Sequence, residues 1–263
     1  MKTLARAMLA AAIALVSPAQ AQPLAAGFDV CDAPLALGRL AIDLPKTRAK
    51  LVAGLPVKIV ALGSSSTAGA GASAARFSYP SRLAVELAQR RPGATIQIVN
   101  RGINGEDAWE NYDRLEPDVI DGHPDLVIWQ MGTNAILHDV DYDDFDRTVQ
   151  KGIDRLNQSG IEVVLMDLQY APRVIEVPDH RRMLDHFDSL GERNRVAVFH
   201  RYAVMKHWAD AMKTDYVGMI ASDGLHMNDR SYGCLAERLA DAIVDTPASD
   251  GRTSNARLDP LSR

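Results

Sequence analysis

Asp125 to Met131 reads DLVIWQM, an almost unbroken apolar run of strand-forming residues. A strand with one wet face alternates polar and apolar positions. A strand apolar at nearly every position has both faces covered, the condition of a parallel sheet packed between helices. Four further runs read as short strands: Val57 to Leu62, Thr95 to Asn100, Ile161 to Asp167 and Arg195 to Phe199. The segments between them carry helical spacing. Tyr79, Leu83 and Leu87 recur every four residues in Tyr79 to Arg90, with Ser78 placed to cap the start and Arg91-Pro92-Gly93 to break the end. Trp109, Tyr112 and Leu115 share a helical face, and Phe145, Val149, Ile153 and Leu156 form a stripe that Gly160 closes. Met183, Phe187 and Leu190 point inward from a helix over Asp179 to Arg193. A helix over Tyr202 to Met212 follows the fifth strand, and Tyr232, Leu235, Leu239 and Ile243 line a last one over Asp229 to Val244. Five alternations of strand and helix predict an α/β domain with a five-stranded parallel sheet, right-handed crossovers and helices on both faces.

The ends of the chain read differently. Lys2 and Arg6, then the apolar stretch Ala7 to Val16, then Ala19-Gln20-Ala21 form a secretory signal peptide cut after Ala21. That implies a periplasmic or secreted protein, and no stretch approaches the ~20 apolar residues of a membrane span. Residues 22–55 read as an irregular arm with a short helix around Thr47 to Ala53, and residues 246–263 as a disordered polar tail. The remaining 56–245 form the domain. Without the leader the chain carries 27 basic and 34 acidic residues, a net charge of −7. This argues against nucleic acid as a partner and offers no polybasic membrane anchor. Cys31 and Cys234 are the two cysteines. In an oxidising compartment an even count favours a bridge, here one joining the two ends of the domain.

The chemistry sits at the strand ends. The first strand runs into Gly63-Ser64-Ser65-Ser66, the second into Arg101-Gly102-Ile103-Asn104-Gly105 and the third into Gly132-Thr133-Asn134; a later loop holds Asp223-Gly224-Leu225-His226. A parallel sheet gathers such loops along one rim. Acyl transfer needs a nucleophile, a base, a group to orient the base and donors for the oxyanion. A serine of the first loop, His226 and Asp223 supply the first three. The backbone N–H groups of the serine and of Gly105, with the Asn134 amide, supply the donors. Other patterns are incomplete. Gly69-Ala70-Gly71-Ala72-Ser73-Ala74 lies well past its strand and lacks the acid of a dinucleotide site. Asp139 to Asp144 opens like a calcium loop but has Asp144 where glycine is required, so its carboxylates read as helix N-terminal residues. Neither a cofactor nor a metal is expected. Trp129 reads as core, and Arg101 as either a substrate contact or a surface ion pair.

Together, in order, these four stretches resemble the SGNH (GDSL-type) hydrolases across about residues 57 to 245. The resemblance implies a flavodoxin-like three-layer α/β/α sandwich and an esterase. It carries the catalytic roles to Ser65, Asp223 and His226, and the oxyanion roles to Ser65, Gly105 and Asn134. One departure stands out: Ser64 occupies the place where that family usually has Asp, which leaves Ser64 and Ser66 as rival nucleophiles. Thr67 two residues after Ser65 excludes the G-x-S-x-G elbow of α/β-hydrolases. The expected activity is cleavage of a small-molecule or glycan ester, short acyl or carbohydrate acetyl esters above all, through an acyl-enzyme. An O-acyltransferase acting on periplasmic glycans and a non-catalytic glycan-binding protein on the same scaffold are the rival readings.

Overall fold

The computed structural model describes residues 31–245. The leader and the C-terminal tail therefore lie outside the described residues, as do residues 22–30 of the arm. Five parallel strands, β1 (Val57–Gly63), β2 (Ile96–Gly102), β3 (Leu126–Gln130), β4 (Glu162–Met166) and β5 (Ala197–Phe199), form one sheet in the order β2-β1-β3-β4-β5. This is the flavodoxin-like order. Helices cover both sides, giving three layers.

The strand sequences explain the layering. Because side chains alternate faces along a strand, each apolar run feeds two cores at once. Val57, Ile59 and Ala61 of β1 join Leu126 and Ile128 of β3 and Val164 and Met166 of β4 on one face. There they meet Leu83 and Leu87 of the helix Tyr79–Arg90 and Leu235, Leu239 and Ile243 of the helix Asp229–Asp245. Val60, Leu62, Val127, Trp129, Val163 and Leu165 face the other way. Their partners are Phe145, Val149, Ile153 and Leu156 of the helix Tyr142–Gln158 and Met183, Phe187 and Leu190 of the helix His180–Asn194. Trp129 is fully buried, as expected of core, and its Nε1 donates to Asn111 Oδ1 at 3.0 Å.

The chain starts at β1, steps outward to β2, then returns past β1 to β3, β4 and β5. The reversal lies between β1 and β3, so the loops leaving those strands diverge to opposite faces and open a crevice at their carboxyl ends. Cys31 and Cys234, the latter in the helix Asp229–Asp245, form a disulfide with Cα atoms 4.7 Å apart.

Several local expectations change. Ser78 does not cap its helix: its hydroxyl turns back to donate to Ala75 O at 2.8 Å. The segment through Trp109 is two short helices, Ala108–Asp113 and Leu115–Asp118. Its buried positions are Ala108, Asn111 and Leu115, while Trp109 is 56% exposed. Asn111 wins the inward position because it satisfies the Trp129 indole. The helix of the arm runs Pro45–Val52, with a further turn at Leu35–Gly38. Before the last helix, a 3-10 segment, Lys213–Met219, and an antiparallel bridge from Ile220 to Met227 order the stretch that leads into the Asp223–His226 loop. Asp141 does serve a helix N-terminus, its carboxylate accepting from Asp144 N. Arg101 is engaged with Asp118, donating to its carbonyl at 3.2 Å.

Candidate active site

β1 ends at Gly63, where a side chain would collide with its surroundings: a Cβ there would lie 2.5 Å from Thr67 Oγ1 and 2.7 Å from Gln130 O. The chain then turns at once into a short helix, Ser65–Ala68. Ser64 and Ser66 fall on its buried sides, 4% and 1% exposed, and Ser65 points outward. This separates the three hydroxyls. Ser65 Oγ lies 2.7 Å from His226 Nε2. Ser64 Oγ donates to Gln130 Oε1, which also accepts from Ser64 N and Thr67 Oγ1. Ser64, at the position where SGNH hydrolases usually carry Asp, is thus a buried partner of the glutamine that ends β3.

His226 Nδ1 meets Asp223 Oδ2 at 2.5 Å, and the other carboxylate oxygen accepts the backbone N–H groups of Leu225 and His226 at 2.9 and 3.0 Å. The three-residue turn therefore aligns the pair through main chain and side chain together. Partial burial raises the Asp223 pKa, but the His226 ring and the two amides outweigh it and hold the carboxyl at about 2. It is ionised throughout the working range and can fix the imidazole tautomer.

Opposite His226 stands the loop after β2. Gly105 adopts a left-handed φ of +85°, which an L side chain would strain. Among the described residues, the N–H groups of Ser65 and Gly105 donate to no protein acceptor. Asn134 Nδ2 donates to Glu106 O at 2.8 Å, which joins the third loop to the second and leaves its other hydrogen for the crevice. Ser65, Gly105, Asn134 and His226 line one pocket of about 390 Å³ together with Ala70, Asn104, Leu137, His138, Arg173 and Leu225. The four loops singled out by sequence therefore converge.

The bracing behind them was not legible. Arg114 donates to Glu106 Oε2, to Gly63 O and to Arg101 O, pinning the Gly105 loop to the ends of β1 and β2. Gln169, 1% exposed, accepts from Thr133 Oγ1 and from Arg201 Nη2, both at 2.8 Å, and its Nε2 reaches Leu225 O at 3.4 Å. Arg201 is fully buried, its pKa lowered to about 10 by desolvation against the pull of Asp167 and three tyrosines. It also holds Asp167 O through Nε and Nη2. Gln130 alone offered a sequence signal, as a polar residue closing an apolar strand. His138, on the rim, is held by Asp107 at 3.0 Å, and burial pushes the Asp107 carboxyl up despite that bond. Among the described residues no group of three His, Cys, Asp or Glu side chains is arranged to hold a metal ion. No helix of that region is long and apolar enough to cross a membrane.

The chain is a carboxylic ester hydrolase on a three-layer α/β/α sandwich, and Thr67 stands where an α/β-hydrolase elbow has glycine. Within that class, the chain belongs to the non-GDSL lipase-like family, which it matches over residues 30–249. Its own Gly63-Ser64-Ser65 accords with that description. An arylesterase of Vibrio mimicus is 27% identical over 188 residues, covering 71% of this chain and 88% of that protein. Solved structures share the fold at lower identity. A two-domain esterase active on acetylated mannans has a TM-score of 0.65 at 19% identity over 80% of this chain, which spans only 58% of that protein. The acetyl xylan esterase AlAXEase has a TM-score of 0.60 at 20% identity, covering 71% of this chain and all of that one.

Proposed function

We propose that the chain is an exported serine esterase that cleaves short acyl or carbohydrate acetyl esters through an acyl-enzyme on Ser65. One observation carries this: Asp223, His226 and Ser65 form a continuous hydrogen-bonded chain, 2.5 and 2.7 Å, that ends in a pocket lined by Ser65 and Gly105, whose N–H groups donate to no described acceptor. In this reading His226 takes the Ser65 proton as Oγ attacks the ester carbonyl. The N–H groups of Ser65 and Gly105 and the Asn134 amide receive the oxyanion. His226 then returns the proton to the leaving alcohol, and water repeats the sequence on the acyl-enzyme. Asp223 keeps Nδ1 protonated and steadies the imidazolium.

The short-acyl preference rests on the pocket. Its volume is at the small end of ligand sites, and its apolar lining is limited to Ala70, Leu137 and Leu225. The acetyl-polysaccharide esterases among the structural neighbours support the same substrate class. Export is supported by the leader-like N-terminus and by a disulfide, a bond that persists in oxidising compartments.

The test is hydrolysis of p-nitrophenyl esters with two, four and eight carbons by the wild type and by Ser65→Ala. Turnover that falls with chain length and vanishes in Ser65→Ala is expected. Turnover surviving in the variant would move the nucleophile elsewhere. Asn134→Ala should lower kcat on the order of 10²- to 10³-fold, the usual loss for one oxyanion donor. Sequencing the N-terminus of secreted protein should find Gln22 first.

A further inference from the structure

Arg173 is the one cation of the pocket, among the described residues, with no acidic partner. The other charges around the crevice are matched: Asp223 with His226, Asp107 with His138, and Glu106 with Arg114. Arg101, near the same rim, is taken by Asp118. Arg173 lines the pocket and is solvent-exposed, and its guanidinium makes no hydrogen bond or ion pair with a described residue. Its base is nevertheless fixed. The Arg173 N–H donates to Gly224 O at 3.1 Å, and its Cγ would lie 3.7 Å from a Cβ added at Gly224. The stem thus starts against the Asp223–His226 turn, and the side chain lines the pocket together with His226 and Leu225.

The His226 side of the pocket has a meaning in the reaction. His226 must protonate the leaving oxygen, so the alcohol part of the ester leaves past His226, while the acyl carbonyl turns toward Gly105 and Asn134. We propose, resting on the Ser65–His226 reading above, that Arg173 binds a carboxylate carried on the alcohol part of the substrate, making the preferred ester an acylated acidic alcohol such as an acidic sugar. A guanidinium presents a planar fork that pairs with a carboxylate through two parallel bonds, and its anchored stem lowers the ordering cost. In a chain that is acidic overall, a carboxylate-bearing substrate is otherwise repelled, so an unmatched cation at this point selects for it.

The experiment compares kcat/KM for phenyl acetate, for 3-acetoxybenzoate (charge on the alcohol part) and for phenyl hydrogen succinate (charge on the acyl part). In the wild type 3-acetoxybenzoate should exceed phenyl acetate by about 5- to 10-fold at low ionic strength, with the advantage shrinking in 0.5 M salt as an exposed pair requires. The succinate should show no such gain. The ratio of the two acetates, read within each variant, should collapse to about one in Arg173→Gln and survive in part in Arg173→Lys. Equal rates for the two acetates in the wild type, or a ratio unchanged in Arg173→Gln, overturn the inference while leaving the esterase reading intact. Failure of the wild type on every ester overturns both.

Discussion

Gln169 is the buried joint between two loops of the site, and its replacement by leucine tests whether that joint matters. Its Oε1 receives the Thr133 hydroxyl and an Arg201 guanidinium N–H, and its Nε2 faces the carbonyl of Leu225. Thr133 precedes Asn134 and Leu225 precedes His226, so both halves of the site hang on one amide. Gln169→Leu keeps the volume but leaves the Thr133 hydroxyl and one Arg201 donor without an acceptor in a dry interior. Each such orphan costs about 1–3 kcal/mol. Arg201 Nη1 already lacks a partner, so the cation has little left to give. Allowing for rotation of the Thr133 hydroxyl, the sum is about 3 kcal/mol, or a fall in Tm of roughly 6–12 °C for a domain of this size. Small displacements of Asn134 and His226 should also lower kcat on the order of 10-fold with little change in KM. Gln169→Glu retains the acceptor for Thr133 and Arg201 and should recover most of the stability. Thermal unfolding followed by circular dichroism, with ester kinetics alongside, reads both effects. A Leu variant within about 2 °C of wild type and fully active would refute the reasoning.

Three further outcomes follow from the geometry. Asp223 has its folded pKa held at about 2, below its usual value of 3.8, so its stabilising contribution is complete above about pH 4 and is lost as pH falls through 2; the Tm gap between wild type and Asp223→Asn should narrow over that window and stay flat above it. Gly105→Ala places a Cβ in open space but at a φ of +85°, and relief of about 1–2 kcal/mol of strain by rotation of the loop should cut kcat about 10-fold while Tm changes little, as seen by parallel kinetics and melting. Reducing the Cys31–Cys234 bridge, which spans 203 residues, should destabilise by up to about 5 kcal/mol in the chain-entropy account, measurable as a lower Tm with reductant that Cys31→Ser reproduces without it.

The sequence by itself determined the class of fold and the members of the candidate site. Runs such as Val57 to Leu62 and Asp125 to Met131 are apolar at adjacent positions, and only a strand buried on both faces tolerates that. The stripes through Phe145 to Leu156 and Tyr232 to Ile243 could serve only as helices covering such a sheet. Short polar motifs at the strand ends were legible because the chemistry needs particular residue types close along the chain, as in Asp223 to His226. The resemblance already pointed to Ser65 among three adjacent serines. Tertiary structure separates them by direction, bringing the Ser65 hydroxyl to the imidazole while Ser64 and Ser66 are buried. It also decided the inward turn of Asn111 over Trp109, the redirection of Ser78, and the bracing by Arg114, Gln130, Gln169 and Arg201. Most of those partners lie tens of residues from the groups they hold, as Gln169 does from Thr133 and Leu225 and Arg114 does from Gly63. Their pairing comes from crossovers that bring distant strand ends within hydrogen-bond reach, a relation that local pattern does not encode.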